Sequence, residues 1–127
     1  MKNLITISIL LFFNSAVFAK TIHVGKQQNV KTIQQALLLA VDGDTVMVNT
    51  GHYHEQNIVI DKSIYLIGIN HPVLDGDDKY EVISIKADGV VIDGFKVINS
   101  GISSIEDYAG IKVYNSRDAI IRNNILD

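Results

Sequence analysis

Apolar residues recur along this chain in short runs with a period of two, and Asn, Asp or Gly closes each run. The runs include Ile22-His23-Val24, Val46-Met47-Val48, Ile58-Val59-Ile60 and Ile64-Tyr65-Leu66. Ile83-Ser84-Ile85, Val90-Val91-Ile92, Phe95-Lys96-Val97, Ile111-Lys112-Val113 and Ala119-Ile120-Ile121 follow. Side chains alternate across a strand, so such runs predict strands with one buried face. Ile and Val far outnumber Leu, and β-branched side chains sit well on a pleated surface. Turn signals separate the runs at Asp42-Gly43, Asp75-Gly76, Asp88-Gly89, Asp93-Gly94 and Ser100-Gly101. The runs are shorter than the roughly five or six residues usual in a sandwich strand.

The runs also repeat. Val90 to Val97 aligns with Ala119 to Leu126 at an offset of 29, and Ile64 to Ile69 aligns with Val90 to Phe95 at an offset of 26. Very short strands repeating at this spacing predict a solenoid. Leu is too scarce for leucine-rich repeats, which leaves an all-β parallel β-helix. Val90, Ile92, Phe95 and Val97 are expected to point inward, with Ala119, Ile121, Asn124 and Leu126 stacked on them. Asn124 would then be a buried amide, to be satisfied by a stack of such Asn residues at a bend. One segment departs from this period. Ile33, Ala36, Leu37 and Ala40 have helical spacing, Thr32 and Gln35 suggest a capping box, and Gly43 supplies a stop. A helix over about residues 32–41 would cover the open first coil and block edge pairing.

Residues 1–19 have a separate character. A short basic start, an apolar stretch from Leu4 to Phe13 and the ending Val17-Phe18-Ala19 predict a secretory signal peptide cleaved before Lys20. Leu4 to Ala19 falls short of the ~20 residues that span a bilayer. Residues 20–127 are therefore expected to be exported as the β-helix domain. The chain has no Cys, which excludes disulfides, a thiol nucleophile, a Cys-based zinc site and a lipid-modified Cys anchor. Eleven Lys plus Arg against fourteen Asp plus Glu give a net charge of −3, which argues against nucleic acid as the partner.

Candidate chemistry is sparse. His52 and His54 flank Tyr53 and would lie on one face of an extended strand, and imidazoles suit copper. Two ligands rarely complete a metal site. His23 and Met47 are further donor types, with nothing in the sequence to place them nearby. His71, before Pro72, reads as part of a turn. Asp75, Asp77, Asp78 and Glu81 offer oxygen ligands of the kind calcium uses, yet they do not match an EF-hand loop and read as a solvated loop. Asp93 and Arg122, one coil apart, could be the stacked Asp and Arg that pectin cleavage would need; a cross-coil ion pair on an exposed face, contributing under ~1 kcal/mol, explains them as well. No Ser-His-Asp arrangement or phosphate-cradling loop is present, and no catalytic residue is assigned.

Several segments carry a family resemblance. Thr32-Ile33-Gln34-Gln35-Ala36, Asp42-Gly43-Asp44-Thr45-Val46 and Gly51-His52-Tyr53-His54-Glu55 are similar to the opening of pectin-lyase-like β-helix proteins. Pro72 to Gly76, Ile85 to Phe95, Asn99-Ser100-Gly101 and Asp107 to Ile111 follow in an order that resembles the start of the NosD family. The resemblance runs from Thr21 to Asp127. It implies a right-handed parallel β-helix in the periplasm, a non-enzymatic maturation protein that works with an ABC transporter and helps supply the copper-sulfur centre of nitrous oxide reductase. Members are normally several times longer, so the chain is expected to be an N-terminal portion whose last coil lacks a cap. Such a coil would favour self-association. The alternative is a carbohydrate-binding or carbohydrate-cleaving β-helix, which the low aromatic content of 7% and the absence of Trp disfavour.

Overall fold

The computed structural model describes Ser8, residues 18–106 and residues 108–127. The proposed leader, apart from Ser8, Phe18 and Ala19, lies outside the described residues. No helix among the described residues is long and apolar enough to cross a membrane.

Twelve short strands and one helix follow in chain order among the described residues. They are β1 (Thr21–Val24), α1 (Ile33–Leu39), β2 (Thr45–Val48), β3 (His52–Tyr53), β4 (Ile58–Ile60), β5 (Tyr65–Gly68) and β6 (Val73–Asp75). Next come β7 (Ile83–Ile85), β8 (Val91–Asp93), β9 (Lys96–Ile98), β10 (Ile111–Val113), β11 (Ile120–Arg122) and β12 (Ile125–Leu126). They form three sheets, ordered β1-β2-β5-β8-β11, β10-β7-β4 and β12-β9-β6-β3. Every pairing is parallel, and successive coils supply successive strands of each sheet. The molecule is thus a parallel β-helix of about four turns. Both repeat offsets appear as strand register: Tyr65 pairs with Val91 and Val91 with Ile120.

Alternation builds the interior. Ile22, Val46, Leu66 and Ile92 stand in register along the first sheet, and all four are buried. Ile58 and Ile60 face Ile83 and Ile85 on the second, and Leu74 faces Val97 on the third. Phe95 is the largest side chain with no exposed surface. Rung spacing is constant while coil length is not. Along the first sheet the paired positions Thr21, Thr45, Tyr65, Val91 and Ile120 are separated by 24, 20, 26 and 29 residues. The excess is carried by the turns.

The helix covers the first coil through Ile33, Ala36 and Leu37, packing on β1, β2 and β4. It is shorter than expected, ending at Leu39 with Ala40 as an extended C-cap rather than near Gly43. Gly43 instead forms the turn into β2 with a φ of 90°. Thr32 Oγ1 accepts the Gln35 N–H at 3.1 Å, as an N-cap should. The reciprocal half differs from a capping box: Gln35 Oε1 accepts from Lys31 N rather than from Thr32. The remaining first-turn donors go to the next coil, where Glu55 accepts the N–H groups of Ile33 and Gln34 at 2.8 and 2.9 Å.

Asn124 departs from the expected Asn stack. The residue one coil before it, at an offset of 29, is Phe95. The Asn124 side chain therefore bonds the backbone of that coil, accepting from Phe95 N at 2.9 Å and donating to the Ile92 carbonyl at 3.1 Å.

β10, β11 and β12 each pair on one side only, and Ile121 and Leu126 are 43% and 62% exposed. Free strand edges with apolar side chains pair with other chains. Residues 20–127 prepared as a separate polypeptide are expected to self-associate in sedimentation velocity. The double variant Ile121→Lys, Leu126→Lys is expected to run as a monomer. A monomeric parent would remove this expectation.

Candidate metal centre

The strand geometry brings His52 and His54 together. Tyr53 is the inward residue between them; its ring packs against the core and its hydroxyl donates to the Asn49 carbonyl at 2.8 Å. The flanking imidazoles emerge on the opposite, solvent side. Their rings stack nearly parallel, 4.4 Å between centroids and 8° between planes. β3 pairs with β6 so that His52 faces Val73 and Tyr53 faces Leu74. This register carries Asp75, at the end of β6, and Asp77, in the turn beyond, against the two rings.

Each imidazole finds one carboxylate in the following coil. His52 Nε2 lies 2.8 Å from Asp75 Oδ2, and His54 Nδ1 lies 2.7 Å from Asp77 Oδ1 and 3.9 Å from Asp75 Oδ2. The hydrogen bond that His54 Nδ1 donates to the Asp77 carboxylate raises the His54 pKa above its ordinary value; partial desolvation opposes this and the charges of Asp77 and Asp75 add to it. Asp75 is buried, which disfavours its charge. The Asp77 N–H, His52 and the Asn99 amide outweigh that cost and hold its carboxyl below the usual range. The solvated-loop expectation holds for Asp77 and Asp78, which are exposed, and is corrected for Asp75 and Glu81, which are buried in two different places.

One ligand atom each from His52, His54 and Asp75 lie within 4.8 Å of one another. A tetrahedral metal with bonds of about 2.0–2.2 Å holds its donors about 3.3–3.6 Å apart, so a pair as wide as 4.8 Å has to close by more than an ångström. Two imidazoles and a carboxylate suit Cu(II) or Zn(II). Cu(I) would call for softer sulfur donors, and the chain has no Cys.

The other sequence candidates lie elsewhere. His23 and Met47 are register partners on the outer face of β1 and β2, in a different sheet. His71 Nε2 lies 3.1 Å from the Asn123 carbonyl, and its backbone is left-handed with φ 53°, as a turn residue requires. Arg122 Nε donates to Asp93 Oδ2 at 2.8 Å between paired strands, the ion pair expected from the repeat.

Glu81 belongs to a second polar site that the sequence did not suggest. Its carboxylate accepts the Ser84 hydroxyl and the Tyr114 hydroxyl, the latter at 2.9 and 3.1 Å. Lys112 Nζ stands 3.8 Å from it. Glu81, Lys112 and Tyr114, with Asn57, Glu106 and Tyr108, line a pocket of about 390 Å³. The ammonium groups of Lys86 and Lys112 each lie 5.1 Å from the centre of the Tyr114 ring.

What sequence reasoning missed at the metal centre was the role of Asp75 and Asp77. The signal was present as His-x-His in one coil and Asp-x-Asp about one coil later. Fold and site together define a class, a parallel β-helix with a two-imidazole, one-carboxylate cluster on its flank. No family model, curated protein or solved structure matches the chain.

Proposed function

We propose that this chain is the β-helical part of a non-enzymatic, periplasmic maturation protein of the NosD kind. In this reading it binds copper as cargo at His52, His54 and Asp75, beside an ABC transporter, on the way to the copper centre of nitrous oxide reductase. The observation that carries the reading is the convergence of these three ligands from two adjacent coils on an exposed flank. Exposure suits a carrier, because cargo has to enter and leave. The donor set is small and hydrogen-bonded to its own acids, so binding should be weak enough for release.

The test is titration of residues 20–127 with Cu(II), followed calorimetrically. A micromolar or weaker site is expected, and His52→Ala should abolish it. Asp77→Asn removes the group that orients His54 and is expected to weaken binding by roughly 10–100-fold, as loss of an outer partner does. Affinity should rise with pH through the raised pKa of His54, because the metal needs the neutral ring. The metal-free protein shows the opposite sign. The stability that Asp77 lends to protonated His54 is complete below the ordinary histidine pKa and is lost as pH rises through the raised one. Binding unchanged in His52→Ala would overturn the proposed site.

A second reading, carbohydrate binding, is favoured by the Glu81 pocket, where acids, an amide and Tyr108 could meet sugar hydroxyls. The lysines over Tyr114 compete with sugar for that ring. Binding of an oligosaccharide that is lost on Glu81→Gln would favour this reading over the first.

A further inference from the structure

We propose that Asp44 is a receptor for the mature N-terminus, so that removal of the leader between Ala19 and Lys20 completes the first rung of the β-helix. The proposal rests on the leader reading for its starting point and on the geometry around Asp44 for its content.

Asp44 is fully buried, yet it carries a carboxylate. Three donors converge on it. Lys20 N lies 2.9 Å from Oδ1, Lys20 Nζ lies 2.7 Å from Oδ2, and Val41 N lies 2.8 Å from Oδ2. These bonds, that of Lys20 Nζ foremost, hold the carboxyl at about 2 against an ordinary 3.8. Two of the three donors belong to a single residue, the one immediately after the expected cleavage point.

Lys20 is also where cross-coil backbone pairing begins. Its carbonyl accepts the Thr45 N–H at 2.9 Å, and β1 starts at the next residue. Phe18 and Ala19, just before it, are exposed, with Phe18 at 83%. The bond between Ala19 and Lys20 therefore joins an exposed segment to an anchored one, as an accessible cleavage site requires.

Cleavage changes the chemistry at Oδ1. In the uncleaved chain the donor there is a neutral amide N–H. Hydrolysis of the Ala19–Lys20 peptide bond adds water across it, leaving a carboxylate on Ala19 and a protonated α-amine on Lys20. The buried carboxylate then faces two ammonium groups in place of one, and the bond at Oδ1, until then charged only on its acceptor, becomes one between two opposite charges. An extra residue ahead of Lys20 turns its nitrogen back into an amide and moves the charge away.

The test compares forms that share one body and differ only at the start. One begins at Lys20, released from a fusion by a protease that leaves no residue behind. The other carries Gly-Ser ahead of Lys20. Association through the far end is common to both and cancels. The Lys20 form is expected to melt about 4–8 °C higher, the shift that corresponds to about 1 kcal/mol in a domain of about 100 residues. In Asp44→Asn the gap between the two starts should close. Equal midpoints in the parent, or a gap that survives Asp44→Asn, would overturn the proposal.

If Asp44→Asn does not fold, acetylation of the α-amine decides. Labelling much slower in the folded Lys20 form than in the denatured one supports docking, and equal rates defeat it. N-terminal sequencing of exported protein tests the leader reading separately. A start other than Lys20 removes that reading and the proposal with it, whereas equal midpoints remove the proposal and leave the leader reading standing.

Discussion

Phe95→Ala is expected to cost about 3–5 kcal/mol, the range for deleting a fully buried aromatic ring. That is a large share of the roughly 5–15 kcal/mol that holds a typical domain together. Phe95 sits in the turn between β8 and β9 with no exposed surface, among the buried side chains of the core. No neighbouring loop can collapse into the space, because strands on either side hold their register through backbone bonds. Ile125 N donates to the Phe95 carbonyl at 2.8 Å and Asn124 accepts from its N–H, so the backbone stays in place around the hole. Urea unfolding should show the loss as a lower midpoint at unchanged slope. A loss below about 1 kcal/mol would mean that Phe95 does not fill the packed interior.

Gly94→Ala is expected to destabilise by about 2–5 kcal/mol, through two effects that act together. Gly94 has a φ of 85°, which a side chain rarely adopts. A β-carbon there would also lie 2.7 Å from the carbonyl oxygen of Gly68, in the coil before. The coils approach at this corner through two glycines in successive turns. Gly89→Ala separates the two effects. Gly89 has a φ of 66°, and a β-carbon added there would meet nothing within 4 Å. It should show only the backbone cost, about 1–2 kcal/mol. Equal losses in the two variants would refute the close approach as a cause.

The architecture was legible because inward and outward residues alternate strictly, and because β5, β8 and β11 repeat at offsets the eye can find. The end of the helix was not. Ala40 terminates it without glycine, under constraint from the coil beneath. Asn124 misled for a related reason: its inward position was legible, but the backbone of the previous coil, not an amide stack, satisfies it. At the candidate site the paired histidines were visible on their strand. Their acids were not, because His52 and Asp75 are 23 residues apart, matching neither repeat offset found in the sequence. Glu81 and Tyr114, 33 residues apart, were hidden in the same way.

The unequal coil lengths have a consequence for how such a chain can change. Each rung is fixed by the strands above and below it, whereas the number of residues between rungs is free over the range already present in this one molecule. The stretch from Asn99 to Gly110 shows that freedom at its widest, with Ile102 and Ile105 carried out to 90% and 92% exposure while β9 and β10 keep their places. Segments of new length and new chemistry can therefore be inserted at the corners one at a time, each leaving the rest of the stack untouched. A scaffold of this kind varies by editing its margins, and two such chains can share every rung while aligning poorly residue by residue.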